Sequence, residues 1–142
     1  MDTVPFKVHD PDAMLTETEG VMQVYEDGLL LQLETRDVII GHVKRTGGVH
    51  IPLDEISSVD FRKRWYGTSL IIQVRNIEVL HEMPGSKLGQ IRLKFRRRHR
   101  DAAENLAIVL KDSLYDLQLD WEEELDRRAL EGGGNPERQA RE

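Results

Sequence analysis

The sequence predicts a mainly β protein, a small barrel of about seven bent antiparallel strands capped by a long C-terminal α-helix. Three observations predict it. Between residues 20 and 97, apolar residues alternate in short runs broken by glycine-containing turns. After residue 100 the period changes, and Leu106, Leu110, Leu114, Leu117 and Trp121 recur at spacings of four, four, three and four. Finally, a single small sheet has one face to cover and two edges to protect, and curling it around a terminal helix solves both.

The elements follow in order. Residues 1–19 lack periodicity and contain Pro5, Pro11 and five acids, which predicts an irregular acidic arm. "VMQVYED", 21–27, reads as a strand, and Asp27-Gly28 is a two-residue hairpin signal. "LLLQLET", 29–35, puts Leu29, Leu31 and Leu33 on one face. "VIIGHVKR", 38–45, reads as a β-branched strand with a bend at Gly41, Thr46-Gly47-Gly48 as a turn, and "VHIPL", 49–53, as a short strand ending at Pro52. "SSVDFRKRWYG", 57–67, and "TSLIIQVRN", 68–76, form a hairpin around Gly67. "IEVLHEM", 77–83, is a further strand candidate, and "PGSKLGQ", 84–90, is a loop. "IRLKFRR", 91–97, alternates most cleanly, with Arg92, Lys94 and Arg96 outward. Asp101 with Glu104 resembles a capping box at the helix start. Gly132-Gly133-Gly134 ends the helix, and a disordered tail is expected after it.

With 142 residues the chain suits one domain, and 39% apolar residues suffice for one core. There is no cysteine, hence no disulfide framework or thiolate chemistry. The start lacks an apolar block, which predicts a cytoplasmic protein. Net charge is −6, but it is segregated. Residues 1–19 hold five acids and one base, residues 20–100 nine acids and fourteen bases, and residues 101–142 twelve acids and five bases. A basic middle therefore lies between acidic ends, which argues against nucleic acid as the partner of the whole chain and leaves a local polyanion contact open.

The stretches "DGLLLQLE", "VHIPLDEISSVDF", "RWYGTSLIIQV", "MPGSKLGQIRLKF" and "DAAENLAIVL" together resemble bacterial pleckstrin-homology-like domains over roughly residues 20–117. The resemblance implies a seven-stranded bent barrel capped by a helix, and a binding or assembly module without a catalytic centre. In the lipid-reading branch of that family, cations flanking the first hairpin hold inositol phosphates. Here "QVYEDGLLLQL" carries Glu26 and Asp27 at its turn and no Lys or Arg, so that site is not carried over.

No catalytic pattern stands beside it. The five histidines lack metal-ligand spacing; His42 and His50 are placed to face each other across adjacent strands, without further ligands. No Gly-x-Ser-x-Gly elbow or phosphate-cradling loop occurs, and "WEEELD" reads as a solvated helix face. No cofactor, metal or small-molecule substrate is expected. A ligand-holding barrel of lipocalin type needs an empty cavity, whereas large apolar residues on nearly every strand predict a filled one.

Three stretches are candidate contact surfaces. "FRKRWYGTS", 61–69, sets Arg62, Lys63 and Arg64 beside Trp65 and Tyr66 at a mid-barrel hairpin. Its position predicts that Gly67 makes the turn and that Trp65 caps the barrel mouth. "RLKFRRRHR", 92–100, contributes Arg92, Lys94, Arg96, Arg97, Arg98 and Arg100, either as a phosphate-contacting stripe or as a charged outer face that discourages edge pairing. The helix beyond Leu117 adds Leu119, Trp121, Leu125 and Leu130 among seven acids, and a heptad seam fails at Glu124 and Arg128. Trp121 either packs on its own barrel or docks on another subunit. The expected partner is protein, first of all a second copy of the chain. An anionic membrane surface met by residues 62–66 and 92–100 is the alternative.

Overall fold

A computed structural model describes residues 3–8, 16–37 and 39–131. Among these residues seven strands and one long helix follow in order. The strands are β1 (Thr3–Val8), β2 (Thr16–Tyr25), β3 (Gly28–Asp37), β4 (Val43–Pro52), β5 (Ile56–Arg64), β6 (Gly67–Val74) and β7 (Gln90–Phe95), and the helix is α1 (Arg100–Glu131). The strands form one antiparallel sheet in the order β4-β3-β2-β1-β7-β6-β5. β4 and β5 are its two edges and do not pair, so the ladder is not closed.

The sheet nevertheless bends strongly. Helix α1 packs on both β2 and β5. In a flat sheet those strands, four places apart, would be separated by roughly 19 Å at about 4.8 Å per strand. That exceeds the ~10–12 Å diameter of a helix. The sheet therefore curls until its two halves share one core. That core joins Val4 and Phe6 of β1, Met22 of β2, Leu29 and Leu31 of β3, Ile51 of β4, Leu70 and Ile72 of β6, and Ile91 and Leu93 of β7. Ala103, Leu106, Ala107 and Leu110 of α1 close it.

Five sequence expectations are corrected. The start of the chain is not an irregular arm: Thr3–Val8 is an inner strand between β2 and β7. Val4, Phe6 and Val8 alternate inward, and Pro5 lies where β1 pairs only with β2, so its missing N–H breaks no ladder bond on the β7 side. The hairpin with Glu26 and Asp27 at its turn is thus the β2–β3 hairpin, and the β1–β2 link, 9–15, lies outside the described residues. So does the tail, 132–142.

The chain also does not turn at 46–48. It reverses between Asp37 and His42, where Asp37 Oδ1 accepts the Ile39 and Ile40 N–H groups and Gly41 adopts a φ of 77°. Ile39 and Ile40 are accordingly exposed on the turn. β4 runs straight through residues 46–48, with a bulge opposite Leu33/Glu34 that Gly47 accommodates at φ 79°. His42 and His50 therefore do not face each other across adjacent strands: His50 lies within β4 opposite Leu30, its Nε2 3.9 Å from Asp27 Oδ1.

Residues 77–83 form no strand. Asn76 caps a short 3-10 turn, Ile77–Leu80, its side-chain oxygen accepting the Glu78 N–H at 3.0 Å, and Leu80 and Met83 enter the core at a spacing of three. At the start of α1, Glu104 does not complete a capping box. A 3-10 turn, Arg97–His99, leads into the helix, and Glu104 Oε1 accepts from Lys63 Nζ at 3.3 Å.

Candidate functional site

The register of the sheet assembles the candidate residues. One row of opposed residues crosses the outer face from edge to edge: Arg62 (β5), Ser69 (β6), Lys94 (β7), Lys7 (β1), Glu19 (β2), Glu34 (β3) and Arg45 (β4). On the β1–β4 side the charges are matched. Lys7 Nζ lies 3.9 Å from Glu19 Oε1, and Arg45 Nε 3.1 Å from Glu34 Oε1. On the β5–β7 side the outer charged residues are Arg62, Arg64, Arg92, Lys94, Arg96 and Asp60. The single acid, Asp60, is taken by Arg62 at 2.9 Å. Arg64, Arg92, Lys94 and Arg96 make no ion pair among the described residues. Lys94 faces Lys7 across the β1–β7 ladder, and the cations of β5 and β7 flank the uncharged β6, so solvent or an external anion is what relieves their mutual repulsion.

Three hollows share these residues. The first, about 290 Å³, lies on the outer face and is lined by Arg62, Arg64, Tyr66, Ser69, Arg92 and Lys94. The second, about 270 Å³, lies where the β5–β6 tip meets the start of α1 and is lined by Arg64, Trp65, Tyr66, Thr68, Arg97 and Arg100. The third, about 160 Å³, brings Lys94, Arg96 and Arg98 against Lys7, Glu19 and His99. The two cation runs of the sequence, 62–66 and 92–100, thus form one continuous basic surface. Lys7, Thr68, Ser69 and His99 belong to it although the sequence reading did not select them. The outward phase of Lys7 against Val4, Phe6 and Val8 was the signal that would have found it.

Lys63 departs from its neighbours. It lies in phase with Val59 and Phe61, toward the helix, where Glu104 engages it. The expectation for Trp65 is also corrected: it is 94% exposed and does not cap the barrel mouth. Trp65 and Tyr66 form the two-residue turn between the paired residues Arg64 and Gly67, their rings edge-to-face at 5.4 Å. Gly67 opens β6 without a positive φ, and a Cβ there meets nothing within 4 Å, so the turn does not depend on glycine.

The helix residues lie elsewhere. Leu117 and Trp121 line a groove of about 580 Å³ with Leu53, Ile56, Arg75 and Leu114, at the flank of edge strand β5. Trp121 has one side toward its own domain and is still 56% exposed. Leu125 is exposed to the same extent and lines no described hollow with the other candidates. Among the described residues no three His, Asp or Glu side chains converge in a way that would hold a metal ion, and no helix is long and apolar enough to cross a membrane.

No protein-family model, no curated protein and no solved structure matches the chain.

Proposed function

We propose that this chain is a non-catalytic binding and assembly module of pleckstrin-homology-like architecture, joining to protein and first of all to a second copy of itself. The strand order 4-3-2-1-7-6-5, with a terminal helix held inside a strongly bent sheet, supports the architecture. The observation that carries the function is the overhang of α1. Its core contacts end with Leu110 and Leu114, yet the helix continues to Glu131 with Leu119, Trp121, Leu125 and Leu130 exposed. Asp116, Asp120, Glu122, Glu123, Glu124 and Asp126 lie on the same length. A short helix without tertiary packing is marginal in water. A partner that buries these apolar residues stabilises it, and the bare basic face of β5–β7 has the opposite charge.

Light scattering over a range of protein and salt concentrations tests the reading. The expected result is a salt-sensitive oligomer, weakened at least about tenfold by Arg92→Glu with Lys94→Glu. A monomer at every concentration and salt level rejects it.

The exposure of Trp65 beside Tyr66 and Arg64 favours one second reading, peripheral contact with an anionic membrane surface. Sedimentation with anionic vesicles at low salt separates the two readings, because the assembly reading expects the protein to remain in the supernatant.

A further inference from the structure

The notch between the β5–β6 tip and the start of α1 differs from the rest of the basic surface. Three guanidinium groups, those of Arg64, Arg97 and Arg100, line a single hollow of about 270 Å³. None of the three has a carboxylate partner among the described residues. The Nε–H of Arg100 is shut off from solvent and meets no acceptor among the described residues. A buried donor of a charged group left without an acceptor is costly, and native structures seldom retain one without an ordered water, an ion or a ligand to explain it. Thr68 lines the same hollow; it is only 5% exposed, and no hydrogen bond engages its hydroxyl among the described residues. The positive end of α1 begins at Arg100 and adds to the field, against which the exposed Asp101 is the nearest acid in sequence.

We propose that this notch is a discrete site for a phosphate-class oxyanion, a phosphoryl group with two negative charges. The chemistry selects that class. Three unneutralised guanidinium groups call for more than the single charge of a carboxylate. Arginine forks pair with the oxygens of a phosphoryl group two at a time. The Thr68 hydroxyl offers a further donor. The size agrees: the hollow is smaller than the roughly 300–1,000 Å³ typical of drug-sized ligand pockets. Tyr66 and Trp65 form its outer rim, placed to contact whatever carries the phosphoryl group. The notch shares Arg64 with the basic face invoked for assembly, but Arg92 and Lys94, whose substitution tests the assembly, do not line it, so the two proposals fail separately.

The experiment uses the full chain carrying Trp121→Phe, which leaves Trp65 as the single tryptophan. Inorganic phosphate is titrated at constant ionic strength, with chloride as the balancing salt. The readouts are Trp65 emission and the arginine Nε–H resonances in NMR. The expected result is a saturable response that includes the Arg100 Nε–H signal and is weakened at least about tenfold in Arg64→Gln and in Arg97→Gln. Both of those residues are exposed, so the variants test the site without depending on a fold that tolerates Arg100→Gln. Vesicles of phosphatidic acid and of phosphatidylglycerol, matched in surface charge, identify the source. A phosphatidic acid preference that inorganic phosphate competes away assigns the group to a lipid headgroup. Phosphate saturation without that preference assigns it to a soluble ligand. Either outcome supports the site. Failure of phosphate to shift either signal beyond the chloride control overturns it, as does equal binding by parent, Arg64→Gln and Arg97→Gln. Equal binding of both vesicle types without a phosphate response also overturns it, by reducing the surface to diffuse charge attraction.

Discussion

The two halves of the sheet share a core and an outer face but treat charge in opposite ways. Along the row from Arg62 to Arg45, the β1–β4 half pairs Lys7 with Glu19 and Arg45 with Glu34. The β5–β7 half leaves Arg64, Arg92, Lys94 and Arg96 unpaired among the described residues. A charged outer face that only kept the protein in solution would serve as well with its charges interleaved, as the first half shows. Concentrating one sign on β5 and β7, either side of the uncharged β6, costs self-repulsion that an external anion would offset. The contrast also orders mutations by kind: in the core they are expected to change stability, and on the bare half the proposed binding.

The largest expected effect tests whether the halves are one unit. Leu93, fully buried on β7, belongs to the cluster that also holds Leu31 of β3. Leu93→Ala is expected to cost about 3 kcal/mol, as for other buried leucines, and to shift a single urea transition rather than split it. Two separate transitions would show that each half folds alone.

A smaller effect separates the outer faces. Arg92→Glu with Lys94→Glu is expected to change stability by less than about 1 kcal/mol and to raise the melting temperature slightly at low salt. Glu19→Lys with Glu34→Lys, which breaks two matched pairs, is expected to lower it by a similar amount. Both differences should fade in about 1 M salt. Equal losses in the two double variants would mean that the β5–β7 cations are paired after all.

The smallest effect is expected at Gly67. Gly67→Ala should alter stability by no more than about 0.5 kcal/mol in a thermal melt, because its backbone conformation is ordinary and open space surrounds the new Cβ. Gly20 lies at the other extreme: a Cβ there would sit 2.1 Å from Gln32 O, against the backbone of β3.

The sequence disclosed whatever local periodicity encodes. The β5–β6 hairpin, β7 and the helix from about residue 100 to 131 were legible in alternation and in three-and-four spacing. Strand β1 was not, because five acids and two prolines across residues 1–19 obscured the short phase of Val4, Phe6 and Val8. At 38–45, β-branched residues suggested one strand; residues 43–45 do open β4, whereas the side chain of Asp37 holds Ile39 and Ile40 in the turn before it. Residues 77–83 carried an apolar pattern that fitted two periods, and Asn76 settled which one held. The candidate surface was legible as composition and not as geometry. Which cations meet depends on the register of seven strands, and register is a long-range property that no local stretch contains. Arg64, Arg97 and Arg100 are brought to one notch by the β6–β7 pairing and by the point at which α1 begins.

The overhang of α1 has a further consequence. From residue 118 to 131 the helix rises about 21 Å, at ~1.5 Å per residue. The ion pairs of Glu124 with Arg127 and with Arg128 brace its far end from within the helix. Such a segment has the geometry of a spacer. A body bound at Trp121 would rest close to the sheet, and one bound at Leu130 would be held more than two helical turns farther out. The position of the apolar residues along this rod would therefore set the distance between the sheet and any body bound to them.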